Sequence, residues 1–270
     1  MFSEQVIALN GRNVHYYEDG QDHKTTILLL HGGFGDAWLH WNHIMPELRH
    51  EGYRTIAPDL PGYGQSDPIA SPTPMALVAW VKAFLDELGI ADVVVVGNSF
   101  GGLTGRLLAA NYPQYVPVLV LVNGGVIPAV PTLAQLLAKS PLGGLIFRQI
   151  ARSTVSRNNL GGLFENQTHL TDEVVSRIQA NRNGLARLMR AHSIAPKPEK
   201  RTPRVPVLLL WGEEDAITPR IVGEHIQRGI PGSKLELIAA TRHLPHIEEP
   251  EIFLWQLTAF LKSLSSARAK

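Results

Sequence analysis

Four short apolar runs, each ending in a turn, constrain the fold of this chain more than any other feature. Residues 26–30 run into His31-Gly32-Gly33, and residues 55–57 into Pro58-Asp59-Leu60-Pro61-Gly62. Residues 93–96 run into Gly97-Asn98-Ser99, and residues 118–122 into Asn123-Gly124-Gly125. Two later runs cover 205–211 and 234–238. Apolar residues at nearly every position are what a parallel strand covered on both faces requires. Asn10-Gly11 between residues 2–9 and 14–17 predicts an opening hairpin, its loop either two residues long or extended through Arg12-Asn13. Helical patterns fall between the runs. Thr73-Pro74 and Thr218-Pro219 each offer a cap followed by proline at the first helical position. Pro250 opens a helix whose buried stripe is Phe253, Leu254, Leu257, Phe260 and Leu261. The alternation predicts an α/β chain: a mostly parallel eight-stranded sheet with helices on both faces.

The alternation lapses between Gly125 and Pro203, where residues 133–139, 145–153 and 171–192 read as helices, the last broken at Asn183-Gly184. A helical cap inserted after the sixth strand, residues 125–203, is therefore expected on a core of residues 1–124 and 204–270, with residues 195–200 as a polar, proline-bearing linker. Charge divides along the same boundary. Residues 125–204 hold twelve Lys/Arg against four acids, a net +8, which leaves −7 for the remainder of a chain that totals +1. Such a segment is either a solvated helical surface or a basic wall near an anionic substrate.

A hydrophobic content of 44% with 18% charged residues suits an ordinary globular chain and rules out wholesale disorder. No apolar run approaches the ~20 residues of a membrane span. The first residues lack a basic stretch followed by an apolar one, so a cytosolic protein is expected. The absence of cysteine excludes disulfides, thiolate metal sites and a cysteine nucleophile. The small net charge gives no sign of a nucleic-acid binder. A monomer or homodimer acting on a small molecule is expected, with no membrane span.

The chemistry centres on Gly97-Asn98-Ser99-Phe100-Gly101-Gly102. A G-x-S-x-G match is cheap alone; here it follows four valines and precedes a helical segment, so Ser99 falls on a tight strand-to-helix turn. Such a turn thrusts the hydroxyl above the carboxyl edge of the sheet, where open α/β sheets bind ligands. The following helix points its free N–H groups at the same place. A serine hydroxyl needs a base. His243, which follows the last strand-like run directly, is favoured, and His246 is its rival. His40 and His43 have no evident third ligand, so no metal is expected. Asp215, just past a strand in Trp211-Gly212-Glu213-Glu214-Asp215, is the natural acceptor for the base; Glu213 and Glu214 stand nearer the strand. An oxyanion hole would draw one N–H from Phe100 and one from His31-Gly32-Gly33-Phe34-Gly35, with Gly33 the first choice and Phe34 the second. Trp38, Phe147, Arg187 and Arg190 are candidates to contact substrate.

Taken in order, His31-Gly32-Gly33-Phe34-Gly35, the stretch from Asp59 to Ser66, Gly97-Asn98-Ser99-Phe100-Gly101-Gly102, Trp211-Gly212-Glu213-Glu214-Asp215 and Arg242-His243 resemble the α/β-hydrolase fold superfamily over nearly the whole chain. The resemblance implies the order nucleophile, acid, base for Ser99, Asp215 and His243, and a cap after the sixth strand. The serine mechanism requires no metal or organic cofactor, so none is expected. Arg242 departs from the glycine often found before that histidine. Dehalogenases and epoxide hydrolases of the superfamily typically use an aspartate nucleophile, and Ser99 argues against both. Hydrolysis of a small carboxylic ester through an acyl-enzyme is the leading expectation. The alternatives are carbon–carbon hydrolysis of a meta-cleavage-type diketone acid, haloperoxidase or lactonase activity without a cofactor, and a non-catalytic ligand receptor. The Gly-Asn-Ser-x-Gly-Gly elbow is similar to that of the carbon–carbon hydrolases, whereas Leu244 stands where they commonly carry tryptophan.

Overall fold

The structure, a computed structural model, describes residues 2–127, 129–199 and 201–268. Lys200, the end of the expected linker, lies outside them. The strands are β1 (Ser3–Leu9), β2 (Arg12–Asp19), β3 (Thr25–Leu30), β4 (Tyr53–Pro58), β5 (Val94–Asn98), β6 (Val118–Val122), β7 (Val207–Gly212) and β8 (Lys234–Ile238). They form one sheet in the order β1-β2-β4-β3-β5-β6-β7-β8. Only β2 runs against its neighbours. The hairpin loop is the two-residue form: Asn10 and Gly11 both adopt positive φ, at 51° and 74°, and Arg12 already belongs to β2. This pair of left-handed residues matches the twist of the strands it joins.

Side chains alternate across the sheet and define its two faces. Leu28, Leu30, Val95, Leu119, Leu121 and Leu209 meet one cluster, while Ile27, Leu29, Val94, Val96, Val120 and Leu208 meet the other. Helices α1 (Ala37–Trp41) and α2 (Met45–His50) follow β3 and supply Trp41, Met45 and Leu48 to the second cluster. α3 (Pro74–Glu87) and α4 (Phe100–Asn111) cover the first with Leu77, Val81, Phe84, Leu103 and Leu107. As expected, Thr73 caps α3, its hydroxyl accepting the Ala76 amide at 3.3 Å. β5, β6 and β7 are buried at every residue, as the apolar runs require.

Between β6 and β7 come α5 (Thr132–Lys139), α6 (Gly143–Thr154), α7 (Arg157–Leu160), α8 (Asp172–Ala180) and α9 (Arg182–Ile194). The chain closes with α10 (Arg220–Gly229), α11 (Pro245–Glu248) and α12 (Pro250–Arg268), the last burying Phe253, Leu257, Phe260 and Leu261. Among the described residues no helix is long and apolar enough to cross a membrane. The expected break at Asn183-Gly184 falls instead at Asn181. The Asn181 amide is held by the core: it donates to Asp36 at 3.2 Å and accepts the Gly64 amide at 2.7 Å. Gly184 sits inside α9 for a different reason. A Cβ there would lie 2.6 Å from the Gly62 carbonyl and 2.9 Å from the Tyr63 ring, so the helix can rest on this loop only without a side chain.

Four buried or nearly buried histidines stay uncharged in this fold. The His31 Nδ1–H donates to the Gly32 carbonyl at 2.7 Å, leaving Nε2 to accept the Leu60 amide at 2.9 Å. His40 Nε2 donates to the Phe34 carbonyl at 3.0 Å, and its Nδ1 lies 3.1 Å from His246 Nε2. His246 stacks on Trp41, and His192 packs edge-to-face with Phe100, ring centres 4.8 Å apart. Burial pushes His40 down to about 3 and His192 to about 4, and lowers His31 and His246 as well.

The unfolded chain takes up these protons near the ordinary histidine value, whereas the folded chain refuses them. For His40 and His192 the contribution to stability is thus full above about pH 6.5 and declines as pH falls toward about 4, by roughly 1.4 kcal/mol per unit for each, and His31 and His246 act in the same direction. His15, raised chiefly by its hydrogen bond to Asp59, acts in the opposite sense. Urea unfolding should show a midpoint that drops steadily from about pH 7 to about pH 5, and a flat profile would refute the account. Gly184→Ala should cost about 1–3 kcal/mol in the same assay, because the added methyl would meet backbone at Gly62 and the buried Tyr63 ring within 3.0 Å; wild-type stability would show the close approach to be dispensable.

Candidate active site

Ser99 joins β5 to α4 with φ 52° and ψ −113°, a left-handed conformation that a serine adopts only when its surroundings enforce it. The enforcement comes from backbone packing. A Cβ on Gly97 would lie 2.5 Å from Gly101, one on Gly101 would strike the Leu30 carbonyl, and one on Gly124 would lie 2.5 Å from the Ser99 backbone. Three glycines thus let β5, α4 and the loop after β6 close around one serine. Ser99 is half-buried at this corner.

His243 lies between β8 and α11, 1% exposed. Its Nδ1 is 2.8 Å from Asp215 Oδ2. Accepting from Nδ1–H, the carboxylate leaves Nε2 as the unprotonated nitrogen. That Nε2 is buried and, among the described residues, has no hydrogen-bond partner, Ser99 included. Such contacts commonly tighten only when substrate is bound. The backbone of His243 is held on both sides, its carbonyl accepting Asn98 Nδ2 at 3.1 Å and its amide donating to the Leu163 carbonyl at 3.1 Å, and the Phe34 ring stands edge-on to the imidazole with ring centres 6.4 Å apart.

Asp215 is buried and saturated with donors. Oδ1 accepts the amides of Ile217 and Thr218 at 2.8 and 3.2 Å; Oδ2 accepts Asn123 Nδ2 at 2.6 Å and the Thr218 hydroxyl at 2.5 Å besides His243. Burial pushes its carboxyl up, but the hydrogen bonds and charge of His243, with those of Thr218 and Asn123, outweigh it and hold the group below the usual carboxylate range. Thr218 was expected to cap a helix. Here Asp215 holds its hydroxyl, and α10 starts later, with Pro219 in the capping position. Glu213 and Glu214 are exposed in the turn.

Asn123 and Asn98 join this corner through their side-chain amides, which no sequence motif singles out for that contact. Asn123 also accepts the Gly212 amide at 2.9 Å, so it ties β6 to β7 beside Asp215. The legible signal was a polar residue closing an apolar run at the same sheet edge as the serine. Among the described residues no amide hydrogen bond runs from Gly33, Phe34 or Phe100 to a protein acceptor. Leu185 and Phe100 approach Gly33 so closely that a Cβ there would lie 3.1 and 3.2 Å from them. No cluster of three potential metal ligands forms among the described residues.

The structure does not gather every expected contact. Trp38 carries the Arg177 guanidinium 4.3 Å from its ring centre, and Phe147 is buried on α6. Arg187 and Arg190 stand two and five residues from Leu185, so they turn off the face of α9 that touches Gly33 and Phe100. They line a separate cleft with Arg12 and Arg148.

The alignments agree with this architecture. A family model described as the alpha/beta hydrolase fold matches residues 25–250. Epoxide hydrolase 4 of Mus musculus is 29% identical over 94% of this chain and 77% of its own length. A 2-hydroxy-6-oxononadienedioate/2-hydroxy-6-oxononatrienedioate hydrolase of Paraburkholderia phymatum is also 29% identical, over 96% of this chain and 95% of its own. A solved thermophilic esterase from Thermogutta terrifontis superposes with a TM-score of 0.79 at 23% identity, covering 97% of this chain and 98% of that one. The chain belongs to the α/β hydrolase fold family and is one of its hydrolases.

Proposed function

We propose that Ser99, His243 and Asp215 act as nucleophile, base and orienting acid in the hydrolysis of a small carboxylic ester. The observation that carries this reading is the buried, unpartnered Nε2 of His243, set by the Asp215 contact to accept a proton at the sheet edge where Ser99 is held. Ser99 attacks the ester carbon as His243 takes its proton. The tetrahedral oxygen is met by the amide of Phe100 together with that of Gly33 or Phe34, donors with no competing protein acceptor. His243 then protonates the leaving alcohol, and a water activated by His243 releases the acid and restores Ser99. No metal or organic cofactor enters the scheme. In this reading residues 125–203 form a cap, with Leu185 and His192 on α9 closing over Gly33 and Phe100.

A second reading, carbon–carbon hydrolysis of a diketone acid, is favoured by the similarity to the Paraburkholderia phymatum hydrolase. The placement of Arg187 and Arg190 off the Leu185 face of α9 weighs against their holding a substrate carboxylate at Ser99. Epoxide hydrolysis through a carboxylate nucleophile finds no support, since a serine occupies the elbow.

A fluorophosphonate should label the wild type and leave Ser99→Ala unlabelled; equal labelling of both would remove Ser99 from the reaction. Short p-nitrophenyl esters should turn over faster than a vinylogous 1,5-diketone acid. The reverse preference would establish the second reading, and tight binding with negligible turnover a receptor. Asp215→Asn should lower kcat by about 10⁴-fold with little change in KM, because the amide favours the wrong imidazole tautomer. A loss confined to KM would show that Asp215 does not orient the base.

A further inference from the structure

Away from the serine, three of the arginines of residues 125–204 gather in one place. Arg148 on α6 and Arg187 and Arg190 on α9 face Arg12 at the start of β2 across a cleft of about 330 Å³, whose floor includes Pro68 and Ala186. Among the described residues no carboxylate lines it. Several arginines elsewhere find acids: Arg54 pairs with Glu18, Arg177 with Asp36, Arg220 with Glu224 and Arg242 with Glu165. Among the described residues none of the four cleft arginines has such a partner. Asp67, beside Pro68, uses one carboxylate oxygen to accept the Asn13 amide at 2.8 Å.

Two of these guanidiniums are held in place. Arg12 Nη1 donates to the Pro68 carbonyl at 2.8 Å, and Arg190 Nε donates to the Ala138 carbonyl at 3.0 Å. Each keeps further N–H donors for a ligand. Four like charges around one small volume repel, and they do so with the geometry that suits phosphate: planar forks that pair bidentately with its oxygens. A single carboxylate would neutralise one of the four, whereas clustered phosphate charge answers several at once.

We propose that this cleft is a binding site for a phosphate group of multiple charge, such as a diphosphate or a phosphate monoester. It is distinct from the serine centre and independent of the ester-hydrolase reading. Two sources share that chemistry: a soluble phosphate compound and a phospholipid headgroup. Leu142 and Leu145, 65% and 66% exposed on either side of Gly144 at the cleft, give the second source an apolar surface to meet.

Calorimetric titration with pyrophosphate at low ionic strength tests the site. The wild type should bind saturably, one per chain. The double variant Arg148→Gln/Arg187→Gln removes two exposed side chains, and its retained fold is checked by thermal unfolding. It should bind at least about tenfold more weakly, a difference of roughly 1.4 kcal/mol. Arg228→Gln, an exposed arginine on α10, should bind as the wild type does. Absence of saturable binding, or equal weakening in Arg228→Gln, would overturn the proposal and leave only general attraction between charges. Co-sedimentation with phosphatidylcholine vesicles carrying phosphatidic acid separates the sources. Sedimentation that the double variant loses and pyrophosphate displaces supports the site with a lipid headgroup as its ligand. Pyrophosphate binding without sedimentation supports the site with a soluble phosphate.

Discussion

Everything at the carboxyl edge of this sheet depends on backbones approaching one another without side chains between them. Ser99 keeps its left-handed conformation because Gly97, Gly101 and Gly124 let a strand, a helix and a neighbouring loop meet at van der Waals distance. The strain at a single non-glycine residue, of order 1–3 kcal/mol, is offset by the packing of three elements that have no other way to fit. Because the constraint is steric, it also fixes where the hydroxyl emerges. A side chain at any of the three positions would move the serine rather than merely loosen it.

Hydrogen bonds carry the same rigidity outward. Asn98 ties β5 to the loop of His243, and Asn123 ties β6 both to β7 and to Asp215. Glu248, half of whose carboxylate accepts the Arg242 amide and half the amides of Glu165 and Asn166, joins the histidine loop to the helices beyond β6. Each of these polar groups is buried or nearly so, where an unmade hydrogen bond costs about 1–3 kcal/mol. The network therefore specifies one arrangement of the three loops and resists intermediate ones.

Much of this was legible in the sequence, and the reasons differ by element. The apolar runs 93–96 and 118–122 announced strands covered on both faces because burial on both sides leaves no polar position. The elbow was legible because its glycines flank the serine directly. Two readings erred where local signals were outweighed by distant partners. Thr218 looks like a cap, but the Asp215 carboxylate holds its hydroxyl. Gly184 looks like a helix break, but it is needed where α9 rests on the Gly62 carbonyl. Arg187 and Arg190 could be placed on a helix but not on a face toward any particular neighbour, since that depends on how α9 is seated. Asn123 was passed over because a buried asparagine acquires meaning only from a residue 92 positions away.

The seat of α8 and α9 is uneven in kind. At one corner Asp36 caps α1, accepting the Leu39 amide, and also holds Arg177 and Asn181. At the other, Leu185 and the His192 ring rest on Gly33 and Phe100. Water can stand in for a guanidinium at the first corner, whereas nothing in water replaces the contacts of a leucine at the second. Parting the helices from the sheet would let water replace the hydrogen bonds of Asp36 at the first corner and would expose greasy surface at the second, which an oily guest could cover.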